Sequence, residues 1–221
     1  MHEFWHAIFG TDYPVEVEIG PGTGTFIIPA AHSRPRTNFF AFEHSRSRAT
    51  HLQQAINAHG LANALVVNAD AGCAVATLIP AASVAAYHVY FPDPWWKRRH
   101  HRRRLFTAAF ADALARTLMP GGRVHLATDV ADVFALAAEV FTAAGAFAAV
   151  AASPSPRIGP TAFERKGLAR GAAIREATFV RSAAATAQIS FAHTPQWAPS
   201  RTSPGEGGSS HERSSQSTVE R

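Results

Sequence analysis

VEVEIGPGTG, residues 15–24, decides the fold. Its opening alternates apolar and acidic residues, the period of a half-buried strand. Gly20, Gly22 and Gly24 follow in a GxGxG loop, and the apolar FIIPAA after them starts a helix. Glycines are needed where a chain turns sharply and a ligand must come close to the backbone, at the carboxyl end of a first strand. The stretch therefore predicts a strand, a ligand-facing loop and a helix, the opening unit of an α/β sheet.

The same alternation continues outward. TNFFAFE (37–43), ANALVVNA (62–69), SVAAYHVYF (83–91) and GRVHLAT (122–128) read as strands. Between them HSRSRATHLQQAINAHG (44–60), RRLFTAAFADALARTLMPGG (103–122) and DVADVFALAAEVFTAAG (129–145) have helical length and end in glycine, which stops a helix in a left-handed conformation. FAAVAAS (147–153) and EATFVRS (176–182) complete seven strands around a turn-rich SPSPRIGP loop. Strands alternating with such helices predict a mainly parallel sheet with helices on both faces, and the last two strands suit an antiparallel edge.

Residues 1–190 are expected to form one domain, since 221 residues at 47% hydrophobic content supply one sizeable core. Residues 191–221 are rich in Ser, Pro and Gly, and are expected to be a disordered tail. A lone cysteine, Cys73, permits no internal disulfide and no cysteine-built metal site, and is read as a small buried residue. MHEFWHAIFG lacks a signal-peptide pattern and no apolar run reaches membrane-spanning length, so no membrane, no metal and a cytoplasmic location are expected. Residues 1–92 hold four basic against six acidic side chains, whereas residues 93–189 hold fourteen against seven. A basic half beside a mildly acidic one suits a polyanion docked next to a small-molecule site.

Three acids sit at successive strand ends. Glu18 ends the first strand, Glu43 ends the second 19 residues beyond Gly24, and Asp70 follows the third. A carboxylate in the second position accepts both hydroxyls of a ribose. Asp70 suits an adenine amino group, and Glu18 the far end of the ligand. Each could instead cap the helix that follows. A dinucleotide fingerprint would want glycine at position 25, where Thr25 stands, so the loop disfavours NAD and favours S-adenosylmethionine.

FPDPWWKRRHHRRRLF, residues 91–106, points to the substrate. Pro92 and Pro94 restrain the backbone on both sides of Asp93. Trp95 and Trp96 offer flat surfaces for a base. Lys97, Arg98, Arg99, Arg102, Arg103 and Arg104, with two histidines, then form an acid-free run. A solvated helix face mixes charge signs, so this run reads as a phosphate-binding surface.

The segment closely resembles the signature of the tRNA (guanine-N7-)-methyltransferases, an aspartate between two prolines followed by an aromatic and a basic run. EIGPGTG, FEHS, NADA, ATD (127–129) and TAFERKG (161–167) extend the resemblance over roughly residues 5–181 in the family's order. It departs from the family at Trp96, where a proline is usual, and in the seventeen residues before Glu18, where a longer basic arm is common.

The resemblance implies a single Rossmann-like methyltransferase domain using S-adenosylmethionine. It places Glu18, Gly20, Gly22, Gly24, Glu43, Asp70 and Asp93 at the cofactor, with Asp93 also the catalytic candidate. It implies that Lys97, Asp129, Thr161, Ala162, Phe163 and Glu164 contact tRNA, and a monomer or homodimer is expected. Asp129 could instead cap the helix after it, and Thr161 with Glu164 fits a capping box. The rivals are a methyltransferase for another RNA, a protein or a small molecule, and a non-catalytic RNA-binding protein of the same fold. A nicotinamide oxidoreductase is disfavoured by Thr25.

Overall fold

The computed structural model describes residues 2–94, 104–150 and 156–182, without the side chains of His2, Ala162, Phe163 and Lys166. The readings that fall on Trp95, Trp96, Lys97, Arg98, Arg99, Arg102, Arg103 and the tail at 191–221 lie outside the described residues.

Seven strands form one sheet: β1 Val15–Ile19, β2 Asn38–Glu43, β3 Ala64–Asn68, β4 Val84–Tyr90, β5 Leu118–Thr128, β6 Phe147–Val150 and β7 Arg175–Arg181. Their order is β3-β2-β1-β4-β5-β7-β6. β1 to β5 pair in parallel. β7 runs antiparallel to both β5 and β6, which puts the expected antiparallel pairing at this edge of the sheet.

Helices α2 Ile27–Ser33 and α3 Arg46–Ala58 cover one face, where Phe26, Ile27, Leu52 and Ile56 pack on Phe39, Ala41 and Val66. The other face carries the larger core, in which α4 Ala71–Thr77, α5 Ala108–Thr117 and α6 Ala131–Ala143 contribute Val75, Leu114 and Phe141 against Val17, Tyr87 and Val124. The expected two-sided α/β sheet is therefore the observed one. Among the described residues no helix is long and apolar enough to cross a membrane.

One helix has no counterpart in the sequence reading, and another is marked there only by its capping box. Helix α1, His2–Phe9, buries Trp5 against Phe40 with ring centroids 5.4 Å apart, and the Trp5 indole N–H donates to the Ser83 carbonyl at 3.1 Å. Helix α7, Ala162–Ala169, opens on the expected capping box: Thr161 Oγ accepts from Glu164 N at 3.1 Å, and Glu164 Oε2 accepts from Thr161 N at 3.2 Å.

Two expectations are corrected. LMPGG does not end the helix read at 103–122; α5 stops at Thr117 and β5 begins at Leu118. Leu118 already pairs with Val84, and the register then shifts between Val84 and Ala86. The glycines serve that irregularity, since Gly121 has φ of +77° and a Cβ on Gly122 would fall 2.8 Å from the Met119 carbonyl oxygen. Cys73 is exposed rather than buried, because α4 turns Ala74 and Val75 inward instead.

A polar chain crosses the α2 side of the sheet. Arg34 Nη1 donates to Glu16 Oε1 at 2.7 Å, Glu16 Oε2 lies 2.8 Å from His88 Nε2, and His88 Nδ1 lies 2.9 Å from the Tyr90 hydroxyl. Burial would raise the Glu16 carboxyl, but His88 and Arg34 outweigh it and hold it below its ordinary value. Burial pushes His88 down despite Glu16, and the His88 ring stacks on His125 at 5.2 Å. Buried polar groups need partners, and this chain supplies them from Glu16 to Tyr90 at the carboxyl end of β4, while Arg34 Nη2 is left without one.

Candidate active site

The strand order reverses direction between β1 and β4, and in open α/β sheets the crevice at such a point holds the ligand. The glycine loop leaves β1 there, and Asp93 follows β4. Gly20, Gly22 and Gly24 all have positive φ, at 72°, 56° and 79°. At Gly24 close approach adds to this, because a Cβ would fall 2.3 Å from Leu52 Cδ1. At Gly20 a Cβ would meet nothing within 4 Å, so the loop leaves open space on the strand end.

Glu18 is 5% exposed and accepts from the backbone N–H of Ile27, yet its Oε2 is buried without a hydrogen-bond partner. Burial pushes its carboxyl up to about 8, the Ile27 N–H opposes the rise, and the negative Glu43 adds to it. An orphaned acceptor costs about 1–3 kcal/mol, so one beside an open glycine cradle fits a site for a ligand that brings a donor or cation.

Glu43 is also buried and knits the site together. Its Oε2 accepts from Gly22 N at 3.2 Å; its Oε1 accepts from Ser45 N at 2.8 Å and Arg48 Nε at 3.1 Å. Arg48 is the replaceable donor, since its side chain is 57% exposed and a ribose hydroxyl could take its place. Asp70 Oδ1 accepts from Cys73 N at 2.9 Å, so Asp70 does cap α4 while standing exposed at the end of β3. Helix-start hydrogen bonding and placement at a strand end thus coincide at all three acids.

Beyond β4 the chain bends through Phe91, whose φ of 51° lies in the left-handed region that bulky residues avoid. Such strain costs about 1–3 kcal/mol and persists only when its surroundings enforce it. Here Phe91 N is held by the Ala127 carbonyl at 2.8 Å. Asp93 stands exposed just after this bend. It lines a cavity of about 120 Å³ with Pro92, Pro94, Arg104, Phe106 and Asp132.

Asp129 and α7 meet. The N-cap of α6 is Val130 and makes no side-chain cap bond, so Asp129 does not cap that helix. Its carboxylate instead lies against α7, where a Cβ on Gly167 would sit 3.3 Å from Asp129 Oδ2. Thr161 is buried at the start of α7, Glu164 is half-buried, and Ala162 and Phe163 occupy its first turn. Arg157 was not singled out in the sequence. Its guanidinium pairs with Glu164 at 2.5 Å and with Glu176, and lies 5.3 Å from the Tyr90 ring centroid. A single arginine in a turn-rich loop carries no pattern that would mark it.

Residues 12–177 match the family described as "Putative methyltransferase". The chain is 34% identical over 180 residues to the tRNA (guanine-N(7)-)-methyltransferase of Nitrosomonas eutropha, with 80% of each chain covered. It is 39% identical over 182 residues to that of a Nocardioides species, covering 80% of this chain and 71% of the relative. The solved 16S rRNA methyltransferase KamB matches with a TM-score of 0.59 at 18% identity over 82% of this chain and 94% of that one, which speaks to the fold alone.

A glycine loop, acids on three successive strand ends and this sheet order define a Rossmann-like, S-adenosylmethionine-dependent methyltransferase. Matches of this extent and identity place the chain more narrowly: it belongs to the tRNA (guanine-N7-)-methyltransferase family.

Proposed function

We infer that this chain transfers a methyl group from S-adenosylmethionine to N7 of a guanine in tRNA, in the variable loop. The observation that carries the reading is the placement of Asp93 on a strained, proline-bracketed turn across the strand-order reversal from the glycine loop. Glu18 would hold the ammonium of the methionine portion, Glu43 the ribose hydroxyls, Asp70 the adenine amino group, and the backbone of Gly20, Gly22 and Gly24 would border the ligand. When bound, S-adenosylmethionine supplies an electrophilic methyl on a positively charged sulfur.

Guanine N7 carries an in-plane lone pair and no proton, so no base has to act first. The protein's work is then orientation and electrostatics. As positive charge develops on the purine ring, the Asp93 carboxylate stabilises it, and accepting from N1–H or the exocyclic amine would orient the base. Asp129, Thr161, Ala162, Phe163, Glu164 and Lys97 would contact the RNA. A cytoplasmic location belongs to the same reading, because tRNA is found there.

Labelled methyl should pass from S-adenosylmethionine to guanine-containing tRNA transcripts and not to the same transcripts made with 7-deazaguanine. Equal labelling of both would exclude N7. Labelling of another RNA alone would transfer the reading to that substrate.

The basic run would grip phosphates. Replacing Arg102, Arg103 and Arg104 together by Ala is expected to lower the slope of log K for tRNA against log salt by about 2, since each phosphate no longer neutralised removes roughly 0.7–0.9. Filter binding from low to moderate salt measures this, and an unchanged slope would assign the run to solubility.

A further inference from the structure

We propose that Arg157 is a positioning residue: its single guanidinium seats the amino end of α7 on the tip of β4, and so fixes Glu164 relative to the Asp93 turn. The catalytic consequence rests on the tRNA reading above, whereas the coupling itself rests on geometry alone.

Arg157 lies between β6 and α7, and its side chain is 6% exposed. Nη1 donates to Glu164 Oε2 at 2.5 Å, on the first turn of α7, and Nη2 donates to Glu176 on β7. Its guanidinium carbon lies over the rings at and just beyond the end of β4, 5.3 Å from the Tyr90 centroid and 5.9 Å from that of Phe91. Phe91 is the residue held at positive φ, two positions before Asp93. One side chain thus touches the helix that carries Thr161 and Glu164, the strand beside it, and the strained bend that aims Asp93.

Chemistry makes arginine specific here. A planar guanidinium presents two carboxylate-binding edges and a stacking face at once, whereas a lysine ammonium is a point charge that cannot do all three. Thr161 N and Arg157 both meet Glu164 at Oε2, so the orientation of that carboxylate is fixed from two sides. Arg157 belongs to neither hydrophobic core, and α7 keeps its own capping box without it. Losing it should therefore disturb alignment more than folding.

The full chain would be compared with Arg157→Lys, Glu176→Gln and the double variant, by hydrogen exchange without RNA and by methyl transfer to tRNA. Arg157→Lys is expected to speed exchange in α7 and at residues 90–94 by roughly fivefold, with β1 to β3 unchanged. Its kcat should fall about tenfold, with KM for S-adenosylmethionine within about twofold, as expected of misplacement rather than lost cofactor binding. Glu176→Gln should show a smaller loss, and the double variant no more than Arg157→Lys alone, because both act through one interaction.

Unchanged exchange at α7 would overturn the proposal, as would faster exchange with wild-type kcat. If wild-type protein transfers no methyl to tRNA, the substrate reading is what fails. The exchange comparison still decides whether Arg157 couples α7 to β4.

Discussion

Asp93→Asn is expected to lower kcat for methyl transfer by about two to three orders of magnitude, the usual cost of removing one preorganised electrostatic group. Affinity for S-adenosylmethionine should change by less than about threefold, because the interaction being removed strengthens only in the transition state. Asparagine keeps the size of aspartate and one acceptor oxygen, so the substitution removes the charge and turns one of the two acceptors into a donor. Asp93 is exposed and contributes to neither core, which keeps the fold out of the comparison. Steady-state transfer to tRNA with calorimetric titration of the cofactor separates the two quantities. Equal losses in rate and affinity would make Asp93 a cofactor ligand only.

Glu18→Gln should move stability and binding in opposite directions. In the unfolded chain this carboxyl titrates near its ordinary 4.5, whereas in the folded protein burial, with Glu43 adding to it, pushes it up to about 8. Between those values the unfolded state has released a proton that the folded state keeps, so stability from this group is intact below 4.5 and declines as pH rises through 8. Glutamine cannot ionise and escapes that penalty. Without cofactor, at pH 7 to 8, the variant should melt a few degrees higher, because the ionisation penalty is gone while the buried position stays polar. Its melting temperature should also vary less with pH.

Binding should suffer in exchange. Losing the anion that would face a ligand ammonium is expected to weaken S-adenosylmethionine about tenfold or more. Wild type should release a proton on binding near neutral pH, visible as a calorimetric enthalpy that depends on the buffer. A lower melting temperature with unchanged affinity would return Glu18 to a purely structural role.

The sheet was legible because its pattern is local. Alternating apolar residues, the glycine loop and the glycine after α3 act within a few residues of themselves, and the strands lie within a few residues of their expected bounds. LMPGG misled because a helix-stopping glycine and a bulge glycine look alike until the partner strand is known. At Asp129 it is only the capping alternative that the structure removes. An acid before a helix resembles a cap, but here the carboxylate turns to α7, some 35 residues away in sequence. Cys73 followed the general preference of cysteine for burial, which the short α4 overrides.

By itself the sequence determined the α/β class, the acids on the three strand ends and the family signature around Asp93, since each depends on residue type and short spacing. Tertiary structure alone decided that Glu18 keeps an unpartnered oxygen, that Phe91 bends against its preference, and that Arg157 gathers Glu164, Glu176 and Tyr90. Those facts depend on which distant groups share a low-dielectric pocket, and burial and charge pairing are properties of the packed chain rather than of any segment in it.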